Sequence, residues 1–375
     1  MKTKFALVAG LAAAAIAIPA GPAVAGSEPE HRTPRTLAEG LVGPLSLTVT
    51  YDEETVLVTQ NFAGVLSRVN HDGTTTALYQ GAEGWDVGGV ETRHGTRYFV
   101  ESAGAGGGDP AALKGWLKSL DPEGDIHDLA DLASYEREKN PDGAQHYGFG
   151  PDVADTCLAE WPAFPPARYQ GGLDSHPYGV AIRDDTAYIA DAGANAILEV
   201  DLDSGDVSTL AVLPPRPAVI PAGTRIPVDM AGTTVEVPAC VVGHEYAFEP
   251  VPTDLEFGPD GRLYVTTLPG GPEDPSLGAR GAIFRVNPST GSTKVWAEDL
   301  LSPTGLAIAD DGDVYVASMF GNEIIEIDDS AGHRKQFLAV DGPAAVEVRG
   351  ETLYATVGFS FADPTQGKVI KAGIG

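Results

Sequence analysis

A β-hairpin pattern that recurs along the chain constrains its fold more than any other feature of the sequence. In Gly179–Asp191, Asp254–Thr267 and Gly305–Ser318, an alternating strand, a short turn rich in Asp and Gly, and a second alternating strand follow one another. Strands of this kind joined by such short turns are typical of β-hairpins. Weaker copies of the same pattern occupy Leu45–Thr59, Val87–Glu101 and Ala344–Thr356.

The spacing after the hairpins predicts two further strands in each copy. Tyr188 precedes Val200, and Tyr315 precedes Ile327, by the same interval of 12 residues. A second turn and a short fourth strand then follow. Four short antiparallel strands repeated about every 40–50 residues are the signature of propeller blades. The six copies therefore predict an all-β fold, a six-bladed β-propeller with four-stranded antiparallel blades.

The two ends of the chain predict how the ring closes. The last copy has only three strands and finishes at Gly367–Lys371, whereas a spare strand, Pro34–Ala38, precedes the first copy. We expect this N-terminal strand to complete the last blade, which leaves no open sheet edge. A sandwich or an open β array would explain neither end. Residues 26–375 are thus expected to form a single propeller domain.

Four segments resemble parts of known proteins: Asp174–Gly179, Tyr188–Asn195, Phe248–Asp254 and Leu268–Gly281. Their sequences resemble those of NHL-type and gluconolactonase-like six-bladed propellers and, more closely, those of the ScyD/ScyE family of exported bacterial proteins. The resemblance covers roughly residues 36–371. It implies a secreted propeller whose biochemical role is poorly defined, and it brings no established catalytic residues.

Residues 1–25 have the three parts of a secretory signal peptide. Lys2 and Lys4 precede an apolar run that ends at Ile18, and Ala23–Ala25 is an A-x-A cleavage site. We therefore expect cleavage after Ala25 and secretion of the mature protein. A membrane anchor is the alternative, but the apolar run is shorter than the roughly 20 residues that span a bilayer. No other segment is apolar enough, so we expect no membrane span in the mature chain.

The charge of the chain excludes one class of partner. Lys and Arg together number 24 against 53 Asp and Glu, which gives a net charge of −29. A surface this acidic repels phosphate backbones and anionic lipids. We therefore expect no nucleic-acid partner, and the expected partner is a small molecule, a glycan or an extracellular protein.

Long insertions are expected on only one face of the propeller. They occupy Ser102–Lys114, Ser134–Gly172, Leu213–Phe248, Leu268–Gly281 and Phe359–Gly367. Because binding sites concentrate on loops held by a rigid scaffold, we take this to be the working face. Cys157 and Cys240 lie in two neighbouring insertions, and in an oxidising compartment they favour a disulfide over two free thiols. In the first insertion, Tyr135–Lys139 predicts one or two helical turns with a solvated, charged face.

Polar side chains at strand ends are expected to converge where the axis opens on this face. Second strands end at Glu101 and Asp191, and the loops into innermost strands carry Asp174, His176 and Asp254. The four carboxylates are candidate ligands for Ca²⁺, and His176 would allow another divalent metal. The alternative is a hydrated acidic funnel without a metal. No pattern of Glu and Asn on the innermost strands matches the ligands of lactonase-like propellers.

Two functions stay open from the sequence. The first is a non-catalytic secreted propeller that binds a small molecule, a glycan or a protein through its elaborated face. The second is an extracellular metal-dependent hydrolase of the lactonase type, or a lyase, with its site at the mouth of the axis. His176 would then be the catalytic base, since imidazole titrates near neutral pH. The chain has no G-x-S-x-G motif, so a serine hydrolase lacks support.

Overall fold

The structure of the protein is a computed structural model. It describes residues 33–50, 55–162, 165–227, 233–272 and 275–375. The predicted signal peptide, residues 1–25, lies outside the described residues. The fold is all-β, as the sequence predicts, and most of its strands form four-stranded antiparallel sheets. Within the described ranges, no helix is long and apolar enough to cross a bilayer.

The first half of the chain contains three of these sheets, numbered I to III. Strand β1 comes first (Arg35–Leu41). Sheet I contains β2 (Ser46–Val49), β3 (Val56–Gln60), β4 (Val65–Val69) and β5 (Thr75–Gln80), and sheet II contains β6 (Asp86–Arg93), β7 (Thr96–Ala103), β8 (Lys114–Leu120) and β9 (Ile126–Asp131). Next come α1 (Leu132–Lys139), β10 (His146–Phe149), α2 (Asp155–Leu158) and β11 (Arg168–Gln170). Sheet III contains β12 (Pro177–Arg183), β13 (Thr186–Asp191), β14 (Ala196–Asp201) and β15 (Val207–Val212).

The second half of the chain contains sheets IV to VI. It begins with β16 (Arg216–Val219), β17 (Arg225–Pro227), β18 (Thr234–Glu236) and β19 (Glu245–Phe248). Sheet IV contains β20 (Pro252–Phe257), β21 (Leu263–Thr267), β22 (Gly281–Val286) and β23 (Thr293–Leu300), and sheet V contains β24 (Pro303–Ile308), β25 (Val314–Ser318), β26 (Glu323–Ile327) and β27 (Arg334–Ala339). Sheet VI contains β28 (Ala345–Arg349), β29 (Thr352–Val357) and β30 (Gly367–Gly373). Short 3₁₀ turns lie at Asn61–Ala63, Ala239–Val241, Pro275–Leu277 and Pro364–Gln366.

The N-terminal strand belongs to the last sheet. Strand β1 pairs with β30, so that Thr36 lies opposite Ile370 and Ala38 lies opposite Val369. Sheet VI therefore has the order β1-β30-β29-β28. The strands that are farthest apart in the chain thus share one sheet.

The first strands of successive sheets lie side by side. Contacts run from β2 to β6, β12, β20, β24 and β28 in turn, and β28 contacts β2. Two repeated glycines permit this approach. A Cβ atom at Gly179 would lie 3.1 Å from the backbone of Asp254, and one at Gly305 would lie 2.8 Å from that of Ala345. We infer that glycine recurs at this position because a side chain would push neighbouring sheets apart.

Apolar residues fill the spaces between neighbouring sheets. Tyr79 of sheet I packs on Phe99 of sheet II with 4.7 Å between ring centroids, and Tyr188 of sheet III packs on Phe257 of sheet IV at 5.1 Å. Similar clusters join every pair of successive sheets and also join sheet VI to sheet I. Because side chains alternate across a strand, each sheet can present an apolar face to both neighbours.

Two insertions fold together into a separate layer, which we call the cap. It consists of the described residues within 132–172 and 213–249. Its four-stranded sheet has the order β11-β10-β19-β16, so the two strands of the first insertion join the two strands of the second where β10 pairs with β19. A disulfide joins Cys157 to Cys240, with 5.9 Å between their Cα atoms. The predicted tether between the two insertions is confirmed, whereas their shared sheet was not expected.

The cap has an apolar interior of its own. Phe149 contacts Trp161 and Tyr246 edge to face, with ring centroids 4.9 Å and 5.0 Å away. Ile220 and Ile226, from the second insertion, belong to the same buried cluster. The cap is therefore a small folded layer and not a pair of independent loops.

Candidate functional site

The loop that leads into β12 is held in place by one buried carboxylate. Asp191, at the end of β13, accepts hydrogen bonds from the Ser175 hydroxyl at 2.9 Å and from the backbone N–H of His176 at 2.7 Å. The N–H groups of Gly193 and Ala194 donate to it as well, each at 3.1 Å. Burial raises the pKa of Asp191 to about 6, against the effect of these hydrogen bonds. Asp191 thus positions the loop.

His176 lies next to a second carboxylate at the mouth of the axis. Its Nε2 atom is 4.0 Å from Oδ2 of Asp86, which is longer than a direct hydrogen bond. The imidazole packs edge to face on the ring of Tyr178, with 5.6 Å between centroids. Burial lowers the pKa of His176 to about 4 and raises the pKa of Asp86 to about 6. At neutral pH the site therefore pairs a neutral imidazole with a carboxylate.

Asp174 connects this loop to two other elements. Its two carboxylate oxygens accept from the backbone N–H of Gly106, at 3.1 Å and 3.0 Å. Its own backbone N–H donates to Oε1 of Glu136, on helix α1, at 3.3 Å. Burial raises the pKa of Asp174. The structure thus brings Asp174, His176 and Asp191 together around a single loop.

Glu101 and Asp254 each take part in contacts between sheets. Glu101 accepts a hydrogen bond from the hydroxyl of Tyr79 in sheet I at 2.6 Å and forms an ion pair with Lys118 of its own sheet at 3.1 Å. Asp254 accepts from the backbone N–H of Leu306 at 2.9 Å, which links sheets IV and V. Each carboxylate therefore already serves a contact between sheets.

The expected metal site is not formed by these residues. In the part of the chain that the structure describes, no group of three or more His, Cys, Asp or Glu side chains is arranged to hold a metal ion. Asp174 and Asp191 hold one loop through hydrogen bonds, whereas Glu101 and Asp254 take part in contacts between sheets. We therefore assign no metal to this set.

The axis itself is too narrow for an organic ligand. Tyr178 and Asp254 line a cavity of about 30 Å³ together with Glu91, Glu256 and Glu347. Burial raises the pKa of all four carboxyls, that of Asp254 to about 7. A water molecule needs roughly 10–15 Å³ of such space, so this cavity holds little more than water.

One side of the mouth carries a group of phenylalanines that we call the aromatic wall: Phe62, Phe320, Phe359 and Phe361. The ring centroids of Phe62 and Phe359 are 6.0 Å apart, those of Phe359 and Phe361 are 4.8 Å apart, and those of Phe320 and Phe361 are 6.5 Å apart. Phe361 is 37% exposed. Tyr178 packs on the same apolar base as the wall, so the surface continues to His176 and Asp86.

The sequence contains a signal for this wall that the predicted site did not include. Phe62, Phe320 and Phe359 each follow the end of a second strand by two residues, after Gln60, Ser318 and Val357. These residues occupy equivalent connections of sheets I, V and VI. An aromatic residue repeated at one loop position would therefore have indicated a shared surface.

Beneath the cap lies a second group of carboxyls that the sequence did not indicate: Glu136, Asp142 and Glu249. Oδ2 of Asp142 accepts from the hydroxyl of Tyr147 and from the side-chain amide of Asn195, both at 2.9 Å. Burial raises the pKa of Glu136 to about 8 and that of Glu249 to about 7, and neighbouring carboxyl charges contribute to both shifts. The helix that carries Glu136 has the predicted length, and Arg137, Glu138 and Lys139 are exposed as expected, whereas Glu136 is buried.

Comparison with known proteins establishes the fold class. No family model matches the chain, and no curated protein matches it. Solved structures do match: a gluconolactonase from Xanthomonas campestris (13% identity, TM-score 0.54, 95% of this chain and 99% of that chain) and a PQQ-bound aldose sugar dehydrogenase from Streptomyces coelicolor (12% identity, TM-score 0.53, 90% and 96%). A Bacteroides thetaiotaomicron protein of unknown function also matches (10% identity, TM-score 0.55, 90% and 75%).

At these identities the similarity concerns the fold alone. The chain is a β-propeller, related in architecture to the gluconolactonase-like propellers. Membership of the ScyD/ScyE family stays a prediction.

Proposed function

We propose that this protein is a secreted six-bladed propeller that binds a small molecule or a glycan at the mouth of its axis. The observation that carries the proposal is the continuous surface from the aromatic wall through Tyr178 to the His176–Asp86 pair. An apolar surface beside convergent polar groups is the usual composition of a ligand site.

Two structural facts support a closed ring of six blades. The first strands of sheets I to VI contact each other in cyclic order, and β1 pairs with β30 in sheet VI. Closure of this kind protects sheet edges that would otherwise be open. The second-to-third connections of all blades then lie on one face, together with the aromatic wall.

Secretion is supported by the sequence of residues 1–25 and by the cap disulfide. Disulfides persist in oxidising compartments outside the cytosol. The bond between Cys157 and Cys240 is consistent with export through the signal peptide cleaved after Ala25. The proposed membership of the ScyD/ScyE family agrees with the same location.

The surface defines the chemistry of the ligand. Aromatic side chains bury the flat or apolar face of a ring, as in an aryl group or a sugar. The neutral imidazole of His176 and the carboxylate of Asp86 suit hydroxyl or amine groups on the edge of that ring. With a net charge of −29, the protein disfavours polyanions. We therefore expect a neutral or cationic ring compound.

Calorimetric titration of the mature chain with phenyl glycosides, and with methyl glycosides for comparison, tests the proposal. We expect the phenyl compounds to bind more tightly, and Phe359→Ala with Phe361→Ala to weaken them by about tenfold. Val219→Ala is the matched control, because Val219 is an exposed apolar residue of the cap, distant in sequence from the wall. Equal binding by the wall variant and the control would overturn the proposal.

A catalytic role is the second candidate, and the His176–Asp86 pair favours it. A neutral imidazole beside a carboxylate can act as a general base in a hydrolase or a lyase, but its pKa of about 4 makes His176 a weaker base than the sequence led us to expect. A metal-dependent form of this hypothesis needs ligands other than the four carboxylates first considered. We would take the protein to be an enzyme if it turned over aryl esters or lactones and if His176→Gln abolished this turnover while ligand binding was retained. The absence of turnover across both substrate classes would favour the binding protein.

A further inference from the structure

Three buried oxygens near the end of α1 have no hydrogen-bond partner. They are Oε2 of Glu136, Oδ1 of Asn140 and Oδ1 of Asp142. Throughout the described ranges, these are all the buried side-chain oxygens that lack a partner, and they fall within one short segment. Glu136 and Asp142 are each only 1% exposed. A buried carboxylate oxygen without a partner is costly, so such a grouping requires an explanation.

The three residues lie in the last turn of α1 and the loop directly after it, and two of them lie next to Gly171. Glu136 and Asn140 are one helical turn apart, and the N–H of Asn140 donates to the carbonyl of Glu136 at 2.8 Å. The side-chain amide of Asn140 donates to the carbonyl of Gly171 at 3.4 Å. Oδ1 of Asp142 lies against the same glycine, since a Cβ atom at Gly171 would be 2.1 Å from it.

The other oxygen of each carboxylate is already held. Oε1 of Glu136 accepts from the backbone N–H of Asp174, and Oδ2 of Asp142 accepts from Tyr147 and Asn195. Both carboxylates are thus oriented by the protein, and each leaves one oxygen free. Such orientation by surrounding hydrogen bonds is what the outer groups of a metal site supply.

The donor set determines the class of ligand. It contains two carboxylates and an amide carbonyl, and neither a thiolate nor an imidazole. Oxygen donors of this kind suit hard cations, and Ca²⁺ accepts 6–8 oxygen ligands in flexible geometry, including backbone carbonyls and water. We propose that Glu136, Asn140 and Asp142 bind a divalent cation beneath the cap, with Ca²⁺ as the preferred ion.

The proposed site differs from the metal site first predicted at the axis. It has only two carboxylates, which is compatible with the absence of three grouped His, Cys, Asp or Glu side chains among the described residues. Its effect would reach the ligand site, because Glu136 also accepts from the N–H of Asp174 in the loop that carries His176. Cation binding would then stabilise that loop.

The test uses chelator-treated mature protein with its disulfide intact. Titration with Ca²⁺ is expected to raise the Tm and to show a single binding event by calorimetry, with Mg²⁺ weaker. Tb³⁺ is expected to show luminescence excited through Tyr147, whose hydroxyl is 2.9 Å from Oδ2 of Asp142. If the wild-type protein showed neither a Tm change nor Tb³⁺ luminescence, the proposal would be overturned.

Variants locate the site. Glu136→Gln and Asp142→Asn keep the side-chain shapes, and each is expected to weaken Ca²⁺ and Tb³⁺ binding about tenfold or more. Glu138→Gln is the matched control, since Glu138 is an exposed carboxylate of the same helix that pairs with Lys139. Without Ca²⁺, Glu136→Gln should unfold at the wild-type temperature or above, which shows that the variant is folded. Wild-type affinity in both buried variants, or an equal loss in the control, would contradict the site.

Discussion

The two sides of the mouth are built in different ways. The aromatic wall rests on shorter connections of sheets I, V and VI, whereas His176 lies beside a cap with its own sheet, core and disulfide. Apolar rings need only contact with an apolar base. Buried polar groups need a partner for each donor and acceptor, and unpaired ones are costly. The difference indicates that the polar side needed additional chain to supply those partners.

Removal of the cap disulfide should have the largest effect. The bond closes a loop with a sequence separation of 83, so Cys157→Ala with Cys240→Ala should lower the free energy of unfolding by about 4–5 kcal/mol. We expect the cap to become sensitive to proteases while the wall stays protected. Urea denaturation and limited proteolysis measure both effects. If the two regions lost protection together, the cap would not be a separate unit.

The next largest effect is expected from Asp191→Ala. This change leaves the Ser175 hydroxyl and the backbone N–H groups of His176, Gly193 and Ala194 without their acceptor. We expect a loss of about 3–4 kcal/mol in the free energy of unfolding, because each unpaired buried donor is costly. Urea denaturation checks this value. A loss below about 1 kcal/mol would show that water replaces the carboxylate.

A smaller, pH-dependent effect is expected from His176. Its pKa is lowered to about 4, so between the ordinary value near 6.5 and pH 4 the unfolded chain binds a proton that the folded chain does not. The contribution of His176 to the free energy of unfolding should therefore decrease by about 2–3 kcal/mol as the pH is lowered through this window. Asp86, with a pKa raised to about 6, acts in the opposite direction as pH rises.

His176→Phe isolates this effect. Denaturation of both proteins should show the variant gaining about 2–3 kcal/mol of stability relative to the wild-type protein as the pH is lowered from 7 to 4. The imidazole signals of the wild-type protein, followed by NMR, should include one that titrates near pH 4. Identical profiles for the two proteins would show that His176 is solvated.

The smallest effect on stability is expected from the wall. Phe361 is 37% exposed, so Phe361→Ser should change the free energy of unfolding by no more than about 0.5 kcal/mol. Binding of a phenyl glycoside should nevertheless weaken. Chemical denaturation and titration calorimetry on the same sample separate the two. A large loss of stability would mean that the wall is part of the core and is not a binding surface.

The sequence predicted those features that depend on short stretches of chain. The hairpins at Gly179–Asp191 and Gly305–Ser318 appear as β12–β13 and β24–β25, since alternation and turn residues are local signals. The disulfide was predicted because the chain is expected to enter an oxidising compartment and because its two cysteines lie in neighbouring insertions. The helix at Tyr135–Lys139 was predicted as well, but the burial of Glu136 was not, because a charged helical run is usually solvated.

The structure brings together only some of the residues that were predicted to converge. Position at a strand end placed Asp174, His176 and Asp191 in one region, and the structure agrees. Glu101 also lies at the end of the second strand of its repeat. There it forms an ion pair with Lys118 and accepts a hydrogen bond from Tyr79 of the neighbouring sheet. Equivalent positions in a repeat share a backbone environment but not the side chains that surround them.

What this sequence determines by itself is the repeated unit, because pairing within a hairpin and the alternation of buried and exposed residues act over a few neighbouring positions. Only the tertiary structure decides which polar atoms meet. Asp142 and Asn195 are 53 residues apart, and Glu136 and Asp174 are 38 apart, yet each pair is joined by a hydrogen bond. Such contacts depend on how two insertions pack over sheet III, and no local pattern encodes that packing.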